Sequence, residues 1–218
     1  MVIEDLHFRL YPAENLCDRT IFSRSCFPEA DEHKALSELV KPGMVFVDIG
    51  ANIGSYAAYL GKKVNGQLRI LAFEPHPVTY QKLIFNMKSN MLGTDDIVNM
   101  GCGPKEELLD LWSDGGGNVG QTSLLQEATN SAQVKHQVQI RPLIDVLNEK
   151  QISQIDIMKI DIEGFEDQAL VPFFTSAPET LYPKYLLIET LQQAMWQEDL
   201  VSLIQSKGYK VHMQTTDY

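Results

Sequence analysis

The residues whose types and spacing could do chemistry fall in three short blocks. "VFVDIGANIGSY" (45–56) runs from buried-strand residues into an acid, Asp48, and then into glycines that open a helix. "LAFEP" (71–75) closes a second apolar run on Glu74, 26 residues beyond Asp48. "DIMKIDIEGFE" (156–166) sets Lys159, Asp161 and Glu163 two apart.

A strand that ends in a glycine-rich turn and a helix N-terminus suits nucleotide-like cofactors. Glycine lets a ligand approach the backbone, and helix N–H groups face it. Spacing narrows the choice of ligand. A dinucleotide fingerprint needs G-x-G-x-x-G, but counting from Gly50 puts Asn52 and Ser55 at the second and third glycine places. A phosphate loop ending in Gly-Lys-Ser/Thr is also missing. Asp48 at a strand end attracts a cation, which suits a cofactor carrying an ammonium and a sulfonium and suits a pyrophosphate badly. The cofactor expected is therefore S-adenosylmethionine, with Glu74 placed to accept hydrogen bonds from two ribose hydroxyls. The plainer reading has Asp48 capping the next helix and Glu74 as a surface acid before Pro75.

In the third block, period two puts Lys159, Asp161 and Glu163 on one strand face and Ile160 and Ile162 on the other. Burying three ionisable groups is expensive unless they pair or work. One reading is a Lys159–Asp161 ion pair with Asp161 capping the following helix. The other sets them beside a transferable methyl group: Asp161 orients or deprotonates a hydroxyl acceptor, Lys159 tunes it, and Glu163 contributes to the acceptor pocket. A third makes Asp161, Glu163 and Glu189 oxygen ligands of Mg²⁺, although the leading expectation has no metal. His76 and His136 are isolated and read as surface or satisfied side chains, with His76 near enough to Glu74 to brush the ribose or adenine.

These blocks need elements to hold them. The core alternates "MVFVDI" strand, "GSYAAYLGKK" helix, "LRILAF" strand, "PVTYQKLIFNMKSNM" helix and "DIVNMG" strand. It resumes with "PLIDVLNEK" helix, "QIDIMKIDI" strand, "EGFEDQALVPFF" helix, "YLLIET" strand, "WQEDLVSLIQSKG" helix and a last strand "YKVHMQ". That pattern predicts an α/β fold with a doubly wound, mostly parallel sheet, helices on both faces, and ligands at the strands' carboxyl ends. Residues 1–44 lead in with a half-buried strand over "LHFRLY", stopped by Pro12, and a helix over "DEHKALSELV". Residues 104–142 interrupt the alternation with strands "EELLDLW" and "QVKHQVQIRP" around a glycine-rich, mobile "SDGGGNVGQTSL". This β-rich insertion is the expected substrate-shaping element. One domain over 1–218 is expected, with no internal boundary.

Composition excludes other classes. Net charge is −11 with a pI near 4.8, and no basic cluster exceeds Lys62-Lys63, so nucleic acid is not an expected partner. No apolar run approaches the ~20 residues of a membrane span. The N-terminus has no basic flank before an apolar stretch, and Cys17, Cys26 and Cys102 form no C-x-x-C pair. A cytoplasmic protein with reduced thiols is expected.

"FVDIGANIGSY", "AFEPHP" and "DIMKIDIEGFEDQAL", in this order and spacing, resemble the FkbM family of S-adenosylmethionine-dependent methyltransferases over about residues 28–208. The resemblance implies a class I methyltransferase (Rossmann-like) fold. It implies that Asp48, Gly50, Asn52 and Gly54 line the methionine half of the cofactor, that Glu74 holds the ribose, and that Gly101 and Cys102 touch the adenine. It implies methyl transfer to a hydroxyl of a small natural product or a saccharide. The alternatives are transfer to nitrogen or a non-catalytic S-adenosylmethionine-binding module. That fold ordinarily ends in a further antiparallel strand for which little sequence follows "YKVHMQ", so a homodimer covering the open sheet edge is expected.

Overall fold

The structure, a computed structural model, describes residues 1–13, 16–114, 118–123 and 133–215. In chain order the elements are β1 (Val2–Ile3), β2 (Leu6–His7), α1 (Leu16–Arg24), α2 (Ala30–Leu39), β3 (Val45–Ile49), α3 (Ser55–Lys63), β4 (Arg69–Phe73), α4 (Pro77–Ser89) and β5 (Ile97–Val98). They continue with β6 (Gly101–Cys102), β7 (Glu107–Asp114), β8 (Asn118–Ser123), β9 (Gln133–Arg141), α5 (Leu143–Glu149), β10 (Ile157–Ile160), α6 (Glu166–Ser176), β11 (Tyr185–Ile188) and α7 (Leu200–Ser206).

Five strands pair in the order β11-β10-β3-β4-β5, all parallel. Successive strand residues face opposite sides, and the cores record it. Phe46, Ile70, Ala72 and Ile157 pack with the residues of α2, α3 and α4, while Val47, Ile49, Leu71, Phe73, Met158 and Ile160 pack with α5, α6 and α7. Both faces are covered, as near-continuous apolar strands require. Each fully buried Phe or Ile in these layers contributes about 1.5–3 kcal/mol. The doubly wound α/β expectation holds.

Strand order also locates the working edge. From β3 the chain winds outward through β4 to β5, then returns to place β10 on β3's other side, so the winding reverses between β3 and β10. At such a reversal the connections leave in opposite directions and open a crevice beyond the carboxyl ends. Lys159 lies opposite Asp48 in that register.

Several expectations are corrected. The lead-in strand is only the short β1–β2 pair, and α1 follows it where none was expected. "DIVNMG" divides: β5 joins the parallel sheet, and β6 pairs with β9 in a second sheet of order β6-β9-β7-β8. The bend between them is held by Asn99, whose Nδ2 donates to the carbonyls of Glu74 (2.8 Å) and Pro75 (2.9 Å). Within the glycine-rich stretch, β8 is a strand, while residues 115–117 and 124 lie outside the described residues. "YKVHMQ" is not a strand; residues 209–215 pair with neither sheet. Period two cannot distinguish an apolar–polar tail from a strand that finds a partner.

Candidate active site

The glycine turn is shaped by close approach. Gly50 (φ +78°) sits so near β10's exit that a Cβ there would lie 1.9 Å from the Asp161 carbonyl oxygen, and one on Gly54 (φ +87°) would meet Leu83 at 2.5 Å. Asn52 is left-handed as well (φ 49°). Contrary to the simple picture of amides facing a ligand, several of this turn's N–H groups are used within the protein. Gly50 and Ala51 both donate to the Phe73 carbonyl (3.1 and 2.9 Å), and Asn52 donates to Glu74 Oε2 (2.9 Å).

Glu74, at the carboxyl end of β4, also accepts from the His76 amide at Oε1 (2.9 Å) and is only 6% exposed. Burial pushes its carboxyl up to about 7 despite these two amides. Each oxygen keeps a lone pair beyond its amide bond. His76 caps α4 through Nδ1, accepting from Thr79 N, and lies edge-on to His136 of β9 with ring centres 4.6 Å apart. Burial, then the neighbouring His136 and Lys82, lowers His76 to about 4. The second sheet therefore abuts the Glu74 end of the parallel sheet. Gly101 and Cys102 are buried there on β6, with Gly101 pressed on Ile140 and Pro75. Burial raises the Cys102 thiol above its ordinary range.

The charges meet at Lys159. Its ammonium, 6% exposed at the side chain, donates to the Gly50 carbonyl (3.0 Å) and to Asp161 Oδ2 (3.3 Å), and lies 3.9 Å from Asp48 Oδ1. Burial alone would lower its pKa, but Asp161 and Asp48 outweigh it and hold Lys159 above the usual lysine range. Asp48 has no open surface, and neither of its oxygens accepts a hydrogen bond. Desolvation raises it to about 6, only partly countered by Lys159. Asp161 keeps 39% of its side chain exposed; burial pushes it up, but Lys159 and a hydrogen bond from Glu189 bring it below the ordinary aspartate value.

Two readings of the third block are corrected. Glu163 does not share the strand face, because β10 ends at Ile160 and Glu163 turns left-handed (φ 55°), accepting from Gln192 Nε2 at 2.9 Å. Asp161 does not cap α6. The turn is held by Glu166, which accepts from Ile162 N (2.8 Å), Gly164 N (3.3 Å) and Trp196 Nε1 (2.7 Å). Among the described residues no three His, Cys, Asp or Glu side chains are grouped for a metal ion.

The lead-in adds a layer that sequence reasoning missed. Tyr56 sets its ring 5.3 Å from Lys159 Nζ and donates its hydroxyl to Glu32 (2.7 Å), while His33 stacks on that ring at 3.8 Å and then on Phe27. Thr215 donates to the other Glu32 oxygen (2.6 Å). In the sequence, α2 signals only an apolar stripe; its polar residues acquire meaning from what they pack on. An open groove of about 680 Å³ lined by Met1, Arg9, Phe22 and Phe85 contains none of the candidate site residues.

A model of the methyltransferase FkbM domain matches residues 48–211, taking in the first block from Asp48 onward and all of the other two. The chain belongs to the FkbM methyltransferase family. Within the curated relatives of this FkbM chain, methyltransferase sdnD of Sordaria araneosa is 27% identical over 76% of this chain and 73% of its own length. Methyltransferase 1 of Beauveria bassiana (strain ARSEF 2860) is 30% identical over 57% of this chain and 56% of its own. Among solved structures, precorrin-8W decarboxylase from Methanobacterium thermoautotrophicum superposes with a TM-score of 0.51 over 96% of this chain and 82% of that one, at 16% identity. The shared architecture is the class I methyltransferase fold. No described helix of this FkbM chain is long and apolar enough to cross a membrane.

Proposed function

We propose that this FkbM-family methyltransferase uses S-adenosylmethionine and methylates a hydroxyl of a small natural product or saccharide. The observation that carries the reading is the arrangement at the winding reversal, where Glu74, the Gly50–Gly54 turn and the Lys159–Asp161 pair meet at one end of the sheet. Glu74 has spare lone pairs for a ribose diol, and Gly50 lets the turn press against the exit of β10, beside Lys159 and Asp161. Asp48 acts at one remove, through the charge of Lys159. Gly101 and Cys102 lie at the adenine end, by Pro75. The bound cofactor would supply an activated methyl group.

The protein's part is to align the acceptor oxygen, and alignment carries much of the effect in such displacements. Asp161, held ionised by Lys159 and partly open, is the hydrogen-bond acceptor for that hydroxyl. The acidic surroundings favour oxygen over nitrogen. Carboxylates of Asp161 and Glu163, with Glu32 of α2 and Glu29 just before it acting on Tyr56 beside Lys159, keep an amine protonated and without its lone pair, while a hydroxyl stays neutral and nucleophilic. A homodimer across the β11 edge, where Tyr185 is 41% exposed, belongs to the same proposal, and a clean monomer by light scattering at micromolar concentration counts against it.

The test of the site is S-adenosylhomocysteine binding by calorimetry, on the intact protein and on Glu74→Ala with unchanged circular dichroism. At a pH above about 8, where Glu74 is ionised, loss of hydrogen bonds to a charged acceptor predicts affinity weaker by about tenfold or more. Equal affinity in the two would sink the assignment.

A further inference from the structure

The parallel register sets Ile160 opposite Ile188, and both ladders continue one residue further. Asp161 N donates to the Ile49 carbonyl and Glu189 N to the Ile160 carbonyl, each at 3.1 Å. Asp161 and Glu189 are therefore neighbours on adjoining strand ends, with side chains on the same face. Their carboxyl groups come within hydrogen-bonding reach of one another. A bond between two carboxyl groups needs one proton, because two carboxylates offer only acceptors. Lys159 decides where it resides. Its ammonium lies on Asp161 at 3.3 Å, so Asp161 is the anion and Glu189 the acid.

Among the described residues, the other charged groups that act on the pair work in the same direction. Glu163 and Glu166 approach from the turn and from α6, and Asp48 comes from β3. Tyr56 of α3 and Cys17 of α1 complete the surroundings, with Glu29 acting on Lys159. Apart from Lys159 all are acidic groups, and one Glu189 oxygen is buried with no other partner. Burial first, and then the Asp161 charge, keeps Glu189 protonated up to about pH 9.

We propose that Glu189 is a positioning residue that retains one proton shared with Asp161, fixing the Asp161 carboxylate as an orienting acceptor for a neutral hydroxyl. Asp161 then aligns the hydroxyl and is not the sink for its proton, which leaves to water over the exposed part of the side chain. A carboxylate-bearing group on the acceptor, next to the transferred oxygen, is disfavoured by the same cluster. This role rests on the methyltransferase reading of the site; the shared proton does not.

The test uses the full chain without acceptor, with ¹³C-labelled Glu and Asp carboxyl groups titrated by NMR. In the wild type one glutamate titrates near pH 9. It is missing in Glu189→Gln and moves down by about two units or more in Asp161→Asn, because the neighbouring charge is gone. Glu74, titrating near 7, stays where it is in both variants. A wild type with no glutamate titrating above Glu74, or an Asp161→Asn variant in which the high titration is unmoved, overturns the shared proton. S-adenosylhomocysteine affinity should stay within about threefold in Glu189→Gln, whereas a loss of about tenfold overturns the assignment to the acceptor side. Failure of the wild type itself to bind S-adenosylhomocysteine overturns the orienting role together with the site reading, and leaves the shared proton to be judged by its own titration.

Discussion

Replacing Lys159 by Met tests whether one buried ammonium holds the working edge together. Methionine keeps the apolar stem and removes the charge together with its hydrogen bonds to Gly50 and Asp161. Asp48, with no exposed surface, then loses a cation 3.9 Å away, an attraction of about 4 kcal/mol at an effective dielectric constant of about 20. Asp161 at 3.3 Å adds only about 1 kcal/mol, because over a third of its side chain is in water. Removing one partner of a buried pair ordinarily costs about 3–5 kcal/mol, in line with that sum. At about 2.1 cal/mol/K per residue, a chain of 218 residues converts this to a fall in Tm of roughly 7–11 °C. pH distinguishes the charge effect from simple repacking. Asp48 titrates near 6 in the folded protein against 3.8 ordinarily, so the folded state holds an extra proton between those values and stability declines as pH rises through them. Without Lys159 the folded value rises further, and the decline extends into the neutral range where the wild type has levelled off. Differential scanning calorimetry at pH 7.5 and pH 5 should therefore show a deficit that shrinks by at least about half at the lower pH. A variant that melts with the wild type, or one whose deficit is equal at both pH values, would refute the reasoning.

Three further outcomes follow from the geometry. Gly43 and Gly50 both have positive φ, but a Cβ on Gly43 meets nothing within 4 Å. Gly43→Ala should cost about 1–2 kcal/mol in urea unfolding, whereas Gly50→Ala should cost about 3 kcal/mol or more and weaken S-adenosylhomocysteine binding; equal costs would deny the close approach to Asp161. His33 is held at about 4 by burial, so below pH 6.5 the unfolded chain takes up its proton first and stability is lost by up to about 3 kcal/mol on acidification to pH 4. His33→Phe, which can keep the stack on Tyr56, should flatten the Tm profile across that window in part, since His76 titrates alongside it; an unchanged profile refutes this. Glu166→Ala leaves two turn amides and the Trp196 indole without their acceptor, so a loss of about 3 kcal/mol and faster amide exchange at Ile162 and Gly164 are expected. Unchanged exchange would show that the turn does not depend on that carboxylate.

Local pattern determined a good deal of this protein. Apolar runs bounded by glycine and proline were enough to place β3, β4, β10 and β11 with their intervening helices, because a strand buried on both faces has little choice of composition. The same reading put Asp48, Glu74, Lys159 and Asp161 at strand ends, since the chain direction of a parallel sheet collects those ends on one edge. It failed where the answer depends on partners far along the chain. Glu163 follows period two only if the strand continues, and the Glu166 turn stops it. "YKVHMQ" alternates like a strand, but no neighbouring ladder receives it. Asp48 reads as a ligand-facing acid, yet it is buried against Lys159 from 111 residues later. Glu189 stands in the sequence only as a strand-end acid and one of three possible Mg²⁺ ligands, and becomes a proton holder only because the β10–β11 register sets it beside Asp161. Residue type and periodicity are properties of a few neighbouring positions, while pairing, burial and the sharing of a proton are decided by which distant segments the folded sheet brings together.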